Sequence, residues 1–273
     1  MKKYAWRIYL CVVFAVLYIP IITLVLFSFN ETASTAKFAG FSLHWYKELF
    51  SSSEAFTALR NTLILAVLSS VISTVIGTAA AEGIYRMKSK LAKSSIISVT
   101  NIPMMNPEIV TGFSMMLFFV AVAGILRVEY ESIGFFAMLI AHITFCLPYV
   151  ILSVLPRINE LGDSLSEAAL DLGCTPIQAF FKVKLPNIMP GVISGLALAF
   201  TLSLDDFVIS YFVGSSDFQT LPLLIYSMTK KKVTPDMYAL STLIVVAVFV
   251  LLLFSNMKKG RKAENKKRGG GKK

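Results

Sequence analysis

The stretch DSLSEAALDLGCTPIQAFFKVKLP, residues 163–186, says most about the fold to expect of this chain. Ser164 and Glu167 fit a capping box, in which two residues satisfy each other's free backbone N–H groups at a helix start. Apolar side chains then recur at helical spacing on one face: Leu165, Ala168, Ala169 and Leu172. Gly173 stands where a left-handed C-terminal cap would end that helix.

A second helix is predicted directly after that glycine. Thr175 and Gln178 fit another capping box, and Pro176 occupies the first helical position, where proline is favoured. The helix is predicted to continue through the aromatic pair 180–181 and to end at Pro186. We therefore expect a helix-turn-helix outside the membrane, with its small alanines on an exposed face and its aromatics behind them.

The composition of the whole chain excludes a soluble globular protein. Of its 273 residues, 56% are hydrophobic and 15% are charged, and the mean hydropathy is +0.70. A soluble domain has roughly 25% charged and about 45–50% apolar residues. At about 20 residues per membrane span, six spans leave no room for a separate soluble domain.

Six apolar segments have the length of a membrane span: 6–29, 60–84, 105–126, 133–154, 188–212 and 237–257. Backbone groups in lipid must bond internally, so these segments are predicted to be helices. The first is too long for a signal peptide and is expected to be retained. We predict an all-α integral membrane protein with about six transmembrane helices: one domain over 1–257 and a basic, disordered cytoplasmic tail over 258–273.

The distribution of Lys and Arg predicts that both termini are cytoplasmic. With the N-terminus inside, 19 of the 26 basic residues fall on the inner side and seven on the outer side. Nine of the inner residues lie after Met257. The connection 155–187 is then cytoplasmic, and the loop 30–59 is outside. Trp45 and Tyr46 in that outer loop fit interfacial aromatics or a short helix on the bilayer.

Several other classes of protein are disfavoured. The basic tail adjoins an apolar segment, so attraction to anionic lipid explains it better than binding to nucleic acid. Cys11, Cys146 and Cys174 show neither a disulfide framework nor metal-ligand spacing, and they are expected to be small core residues. We expect no catalytic, cofactor-binding or metal-binding residues in this chain.

The stretch quoted first resembles a known motif. It consists of Glu167-Ala168-Ala169, then Gly173 after three residues, then Val183-x-Leu185-Pro186 after nine more. This pattern is similar to the EAA loop of ABC importer permeases, which reads E-A-A-x3-G-x9-I-x-L-P. Val183 in place of Ile is the one departure. The match also falls before the penultimate predicted span, as in that family.

This resemblance implies a membrane-spanning permease subunit of the binding-protein-dependent type. In that family the EAA loop, here about 155–187, is a coupling helix that docks into a cytoplasmic ATPase. By position, Glu167 would contact the ATPase, Ala168 and Ala169 would allow close approach, and Gly173 would form the turn, with Leu185 and Pro186 closing the motif. The sequence contains no G-x-x-x-x-G-K-[ST], so ATP and Mg²⁺ would be bound by a separate ATPase pair. A second permease subunit and an extracytoplasmic binding protein would complete the assembly.

Asp205 and Asp206 lie within the apolar run of the fifth segment. Each charge near a bilayer centre costs roughly 2.5–3.5 kcal/mol on insertion scales, so such residues usually face a cavity or a partner. At 1.5 Å per residue they lie about 25 Å along the helix from its start, in the outer part of the membrane. Two interpretations remain open: a cation-attracting rim on the substrate pathway, or pairing with Arg127 or with a backbone group.

Pro103 and Pro107 are predicted to break or kink the chain before the third span, because each removes a helix N–H donor. Asn106 and Glu108 beside this break are further candidates for the substrate pathway. A cap at the start of the helix, on the inner membrane face, is the alternative.

Three other polar residues have structural interpretations. Glu82 and Arg86 are spaced i, i+4 and are predicted to form an ion pair at a helix end. His142 is expected to be a packed, hydrogen-bonded histidine rather than a proton relay.

The segments Ser203–Phe207 and Pro103–Gly112 both resemble the spermidine/putrescine branch of these permeases, and the similarity extends over about 7–257. Acidic residues suit a polycationic substrate. The resemblance therefore implies ATP-driven polyamine import by alternating access in a bacterial cell membrane. Alternatives are another solute, namely an anion, an opine or a metal complex, or a secondary transporter without an ATPase.

Overall fold

A computed structural model describes residues 2–32, 37–51, 53–215, 217–231, 237–243 and 245–246. These residues divide into two compact units, one formed by Met1–Phe56 with Ile225–Lys273 and the other by Thr57–Leu224. Helices dominate both units, and the β-structure within the described ranges is an isolated bridge between Asn30 and Phe41. The predicted all-α fold class is confirmed.

The helices are named in chain order: α1 (Lys2–Phe27), α2 (His44–Ser51), α3 (Ser53–Arg86), α4 (Lys90–Met105), α5 (Glu108–Leu126), α6 (Tyr130–Leu161), α7 (Ser164–Asp171), α8 (Pro176–Ala179), α9 (Leu185–Leu204), α10 (Val208–Val213) and α11 (Leu221–Lys231). A π-helical turn, Phe180–Lys184, joins α8 to α9.

Five long helices in the described residues are apolar enough to cross a membrane: Trp6–Phe27, Ser53–Arg86, Glu108–Leu126, Tyr130–Leu161 and Pro176–Leu204. They overlap the first five predicted segments, although the fifth differs in its extent. The sixth, 237–257, lies largely outside the described residues, but 237–243 and 245–246 are helical. The tail 258–273 lies outside them altogether. The described part thus agrees with about six spans.

The fifth predicted segment, 188–212, is not one helix. α9 ends at Leu204, and the short α10 begins at Val208. The prediction of an unbroken span was wrong because the Asp206 carboxylate accepts the N–H groups of Ile209 and Ser210, which starts a new helix. α4 and α11 were not predicted as separate helices.

The predicted break before the third span is confirmed. α4 runs through Pro103 and ends where Asn106 adopts an extended conformation, and α5 begins after Pro107. The ring of Pro107 disfavours a helical conformation in the preceding residue, so the chain extends at this point. The break orients the start of α5 independently of α4.

Helix α6 forms the centre of the unit Thr57–Leu224. It contributes the largest share of a buried cluster that also includes side chains of α3, α5, α9 and α10. α6 and α9 approach closely at Gly191, where a Cβ atom would lie 2.9 Å from the Ser153 carbonyl oxygen. Such contact between small residues is typical of helices packed in membranes, where close van der Waals packing replaces the hydrophobic effect. This packing fixes the position of α9 against α6.

In the other unit, the segment after α1 folds back on itself. Trp45 Nε1 donates a hydrogen bond to the Asn30 carbonyl oxygen at 2.7 Å, and the hydroxyl groups of Tyr46 and Ser28 lie 2.7 Å apart. The predicted short helix is present as α2, His44–Ser51. Trp45 and Tyr46 therefore tie α2 to the end of α1.

The prediction that the cysteines are small core residues is confirmed for one of the three. Cys146 is buried on α6, whereas Cys11 is exposed on α1 and Cys174 is half-exposed. Cys11 lies on a span whose described side chains are almost all unburied within this chain.

Candidate functional site

Residues 163–179, here called the elbow, consist of α7, a tight turn and α8. Gly173 at the turn has a φ of +88°, in the left-handed region that favours glycine. Its N–H donates to the Leu170 carbonyl oxygen at 2.9 Å, and the Cys174 N–H donates to that of Ala169 at 3.0 Å. These two bonds form a Schellman motif. The predicted glycine cap is confirmed.

The two predicted capping boxes have different outcomes. At α8, the Gln178 N–H donates to Thr175 Oγ1 at 3.3 Å, and the Thr175 N–H donates to Gln178 Oε1 at 3.1 Å. At α7 the prediction was wrong, because Asp163 precedes the helix in a helical conformation and Ser164 is already its first residue. The Glu167 N–H therefore donates to the Asp163 carbonyl oxygen at 2.9 Å, as in an ordinary helical turn.

The two alanines of the motif differ in exposure. Ala168 and Glu167 are exposed, whereas Ala169 is only 6% exposed. The expectation that both alanines are exposed was wrong, because they are adjacent on the helix and one turns toward the protein. The carboxylate of Glu167 and the small side chain of Ala168 thus form an accessible pair.

The elbow and the π-helical turn that follows it expose large apolar side chains. Leu172 is 86% exposed, Ile177 71% and Phe181 60%. Phe181 was expected behind the alanines, but it lies beyond the elbow in the π-helical turn and is exposed. These exposed side chains are available for contact with another surface.

The prediction that the second helix ends at Pro186 was wrong. The π-helical turn Phe180–Lys184 leads directly into α9, where Pro186 occupies the first turn. The Leu185 N–H donates to the Phe180 carbonyl oxygen, one residue further back than in an α-helix. This wider turn accommodates a proline that has no N–H to donate. Leu185 packs on the core, and Pro186 is exposed.

A buried lysine lies at the base of the elbow. Lys184 is 2% exposed, and its Nζ lies 2.9 Å from the Glu82 carboxylate of α3. The same Nζ lies 4.4 Å from the centroid of the Tyr85 ring. The predicted pair of Glu82 with Arg86 is also present, at 2.6 Å. The i, i+4 spacing indicated the local partner of Glu82, but no sequence pattern indicated a partner 102 positions away.

Asp206 belongs to a buried polar network at the break between α9 and α10. Its carboxylate accepts two backbone N–H groups, and its Oδ2 lies 3.5 Å from His142 Nε2. His142 Nδ1 lies 2.8 Å from Ser203 Oγ, which accepts a hydrogen bond from Ser69 at 2.8 Å. The network joins α3, α6, α9 and α10. It confirms that His142 is packed and hydrogen-bonded.

Asp205 differs from its neighbour. It is exposed and ends α9, with its N–H donating to the Thr201 carbonyl oxygen. Arg127, the partner considered for the pair, is the left-handed residue that ends α5. Of the two interpretations, pairing with backbone groups therefore applies to Asp206. The carboxylate of Asp205 remains accessible.

Asn106 lines an open cavity of about 270 Å³ between the end of α4 and the first half of α5. Its lining is mostly apolar: Pro103, Asn106, Val110, Thr111, Ser114, Met115 and Phe118. Glu108 is exposed in the first turn of α5, where a carboxylate favours the helix dipole. Asn106 and Glu108 therefore lie at the same break, and of the two Asn106 lines the cavity. The described residues contain no cluster of metal-ligating side chains.

The chain is similar to two curated transport proteins over most of its length. It is 38% identical to the spermidine/putrescine transport system permease protein PotC of Haemophilus influenzae, covering 91% of this chain and 94% of that protein. It is also 38% identical to the putrescine transport system permease protein PotI of Escherichia coli, covering 90% and 88%.

The fold is similar to that of a chain in a bacterial ABC transporter that imports the acidic polysaccharide alginate. The TM-score is 0.78, with 95% of both chains covered, at 18% sequence identity. A profile described as "Binding-protein-dependent transport system inner membrane component" matches residues 73–258. PotC and PotI are named as transport permeases, which are not enzymes, and this agrees with the prediction of a permease rather than an enzyme. The chain belongs to the family of binding-protein-dependent transport system inner membrane components.

Proposed function

We propose that this chain is one half of the membrane pore of an ATP-driven polyamine importer. The family supports a permease subunit. The names of PotC and PotI support spermidine and putrescine as substrates. The observation that carries the proposal is the exposed elbow, which combines the spacing of an ATPase-docking motif with an accessible Glu167 and exposed apolar side chains.

The elbow is proposed to dock into a groove of a cytoplasmic ATPase subunit. Leu172 and Ile177 would fill the apolar part of that groove, as central apolar anchors do in many interfaces. Ala168 would permit close approach beside them, and Glu167 would meet a polar or basic group of the ATPase. ATP and Mg²⁺ would be bound by the ATPase pair and not by this chain.

This docking requires the elbow to face the cytoplasm. The excess of Lys and Arg on the same side as both termini supports that orientation. The family description, an inner membrane component, agrees with a multi-pass protein of a bacterial cell membrane. The remaining proposed partners are a second permease subunit, which would complete the pore, an extracytoplasmic polyamine-binding protein and the surrounding lipid.

The mechanism proposed is alternating access, with α9 as the moving connection. α9 contains 20 residues and therefore spans roughly 30 Å at 1.5 Å per residue. The elbow and its π-helical turn adjoin one end of α9, and Asp205 lies at the other. When ATP binding draws the ATPase subunits together, a displacement of the elbow would be carried along this helix to the region of Asp205.

The exposed carboxylate of Asp205 is proposed to attract the ammonium groups of a polyamine. Carboxylates on the route raise the local concentration of a polycation, whereas an anion would be repelled. Asn106 and Glu108, beside the α4–α5 break, are proposed as further residues of the substrate pathway. Asp206 is buried and bonded within the chain, so its proposed contribution is to position Asp205.

The Asp205→Asn variant tests the substrate route. It should lower the rate of labelled spermidine uptake at subsaturating concentration roughly five- to tenfold, equivalent to about 1–1.4 kcal/mol. ATPase co-purification should be unchanged because the elbow is untouched. Asp217→Asn is the matched control, since Asp217 is another exposed aspartate of the same unit.

Uptake by the Asp205→Asn variant equal to that of the Asp217→Asn control would remove Asp205 from the substrate route. Competition distinguishes the alternative solutes. Excess unlabelled putrescine should compete with spermidine, whereas anions, opines and metal complexes should not.

A further inference from the structure

We infer that Lys184 is a coupling residue: its buried ion pair with Glu82 transmits movement of the elbow to α3. Lys184 ends the π-helical turn that follows the elbow, and Glu82 lies on α3. The inference rests on the proposed function, because it assumes that an ATPase moves the elbow. It adds a second route of transmission, separate from the α9 connection.

The geometry of Lys184 is that of a fixed link rather than a surface charge. The lysine is 2% exposed, and its ammonium group lies 2.9 Å from both carboxylate oxygens of Glu82. The Tyr85 ring lies on another side of the ammonium group, 4.4 Å from Nζ to the ring centroid. Carboxylate and ring both belong to α3. The ammonium group is therefore held to this helix by two contacts.

A buried charge keeps its partner during a conformational change more firmly than an exposed one. Separating Lys184 from Glu82 would leave an unpaired charge in a low-dielectric environment, which is strongly unfavourable. An exposed pair has water as an alternative partner and little net stability. Arg86, whose side chain is 60% exposed, makes such a weaker contact with the same Glu82 carboxylate.

The pair also bridges elements distant in sequence. Glu82 and Lys184 are 102 positions apart, whereas Glu82 and Arg86 are neighbours on one helix. Tyr85 of α3 also lies close to Asp163, the first residue of the elbow. Lys184 is itself the last residue of a π-helical turn, and such turns are frequent at functional sites. α3 would therefore follow the elbow when it moves.

The test compares transport with ATP hydrolysis in the complete importer. The wild-type chain and its variants are co-expressed with the second permease and ATPase subunits, purified and reconstituted into proteoliposomes with the binding protein. Spermidine uptake and ATP hydrolysis are measured in the same samples. The quantity of interest is the number of spermidine molecules imported per ATP hydrolysed.

The double variant Glu82→Gln with Lys184→Met is the principal one, because it removes the link without burying a lone charge. It should assemble, hydrolyse ATP within about twofold of wild type, and import roughly tenfold less spermidine per ATP. Lys184→Met alone should lower this ratio by a similar factor, since effects that act through one pair are not additive. Arg86→Met is the matched control: it removes a cation from the same carboxylate but breaks no link between elements, so its ratio should stay within about twofold of wild type.

A double variant with the wild-type ratio would overturn the inference while leaving the proposed function intact. Failure of the double variant to assemble, with Arg86→Met assembling normally, would also overturn it, because the pair would then be structural. If the wild-type chain itself neither bound an ATPase nor imported spermidine, the proposed function would fail and the inference with it.

Discussion

The Glu167→Arg variant is expected to lose its ATPase subunit and with it nearly all transport. Glu167 is exposed on the elbow beside Ala168. Arginine reverses the charge and adds bulk at a surface proposed to sit within a groove, and mismatched charge at an interface costs several kcal/mol. Recovery of the ATPase from solubilised membranes should therefore fall more than about tenfold, since 1.4 kcal/mol already corresponds to that factor. The measurement is a pull-down through an affinity tag on this chain.

Glu160→Arg is the control for that experiment. Glu160 is also exposed and lies at the end of α6, where it pairs with Arg157 over 2.8 Å. Exposed pairs of this kind contribute about 0–1 kcal/mol to the stability of a protein, so loss of this pair should leave the chain folded. The control should therefore retain its ATPase. Equal recovery of the ATPase by Glu167→Arg and wild type, together with normal uptake, would contradict the docking role of the elbow.

The Asp206→Ala variant is expected to be strongly destabilised. Its carboxylate accepts the N–H groups of Ile209 and Ser210 and lies beside His142 in a buried network. Alanine would leave two buried donors without an acceptor, at a cost of about 1–3 kcal/mol each. The apparent melting temperature in detergent should fall by several degrees or more, as expected at roughly 2–4 °C per kcal/mol for a chain of this size.

Asp205→Ala provides an adjacent control, because Asp205 is exposed and its side chain caps no helix in the structure. Its melting temperature should stay close to that of wild type. Asp206→Asn should be intermediate, since an amide retains one acceptor oxygen. Equal melting temperatures for Asp206→Ala and Asp205→Ala would show that the network does not stabilise the α9–α10 break.

Much of this fold could be predicted because its determinants are local in the sequence. The lengths of the apolar segments give the spans, and the Thr175–Gln178 capping box and the Gly173 turn were both predicted from neighbouring residues. The break at Asn106 follows from the steric effect of a single proline. In each case a few adjacent residues determine the backbone.

The features that were missed depend on distant parts of the chain. Lys184 and Glu82 are 102 positions apart, and Lys184 has the appearance of a surface residue in sequence. Asp205 and Asp206 are chemically identical neighbours, and only the packing of α6 and α10 around Asp206 distinguishes them. The π-helical turn before Pro186 was also missed, since an alternative helical register in the preceding turn depends on how the elbow packs. Tertiary packing decided each of these points.

The most direct test of the central claim is uptake of labelled spermidine by proteoliposomes that contain this chain, a second permease subunit and the ATPase pair, with the binding protein outside. The claim that this chain forms half of an ATP-driven polyamine importer predicts uptake with ATP and Mg²⁺ inside, and none with ADP inside. Uptake that proceeds equally with ADP, or ATP hydrolysis and import stimulated by an anionic solute but not by spermidine or putrescine, would contradict it.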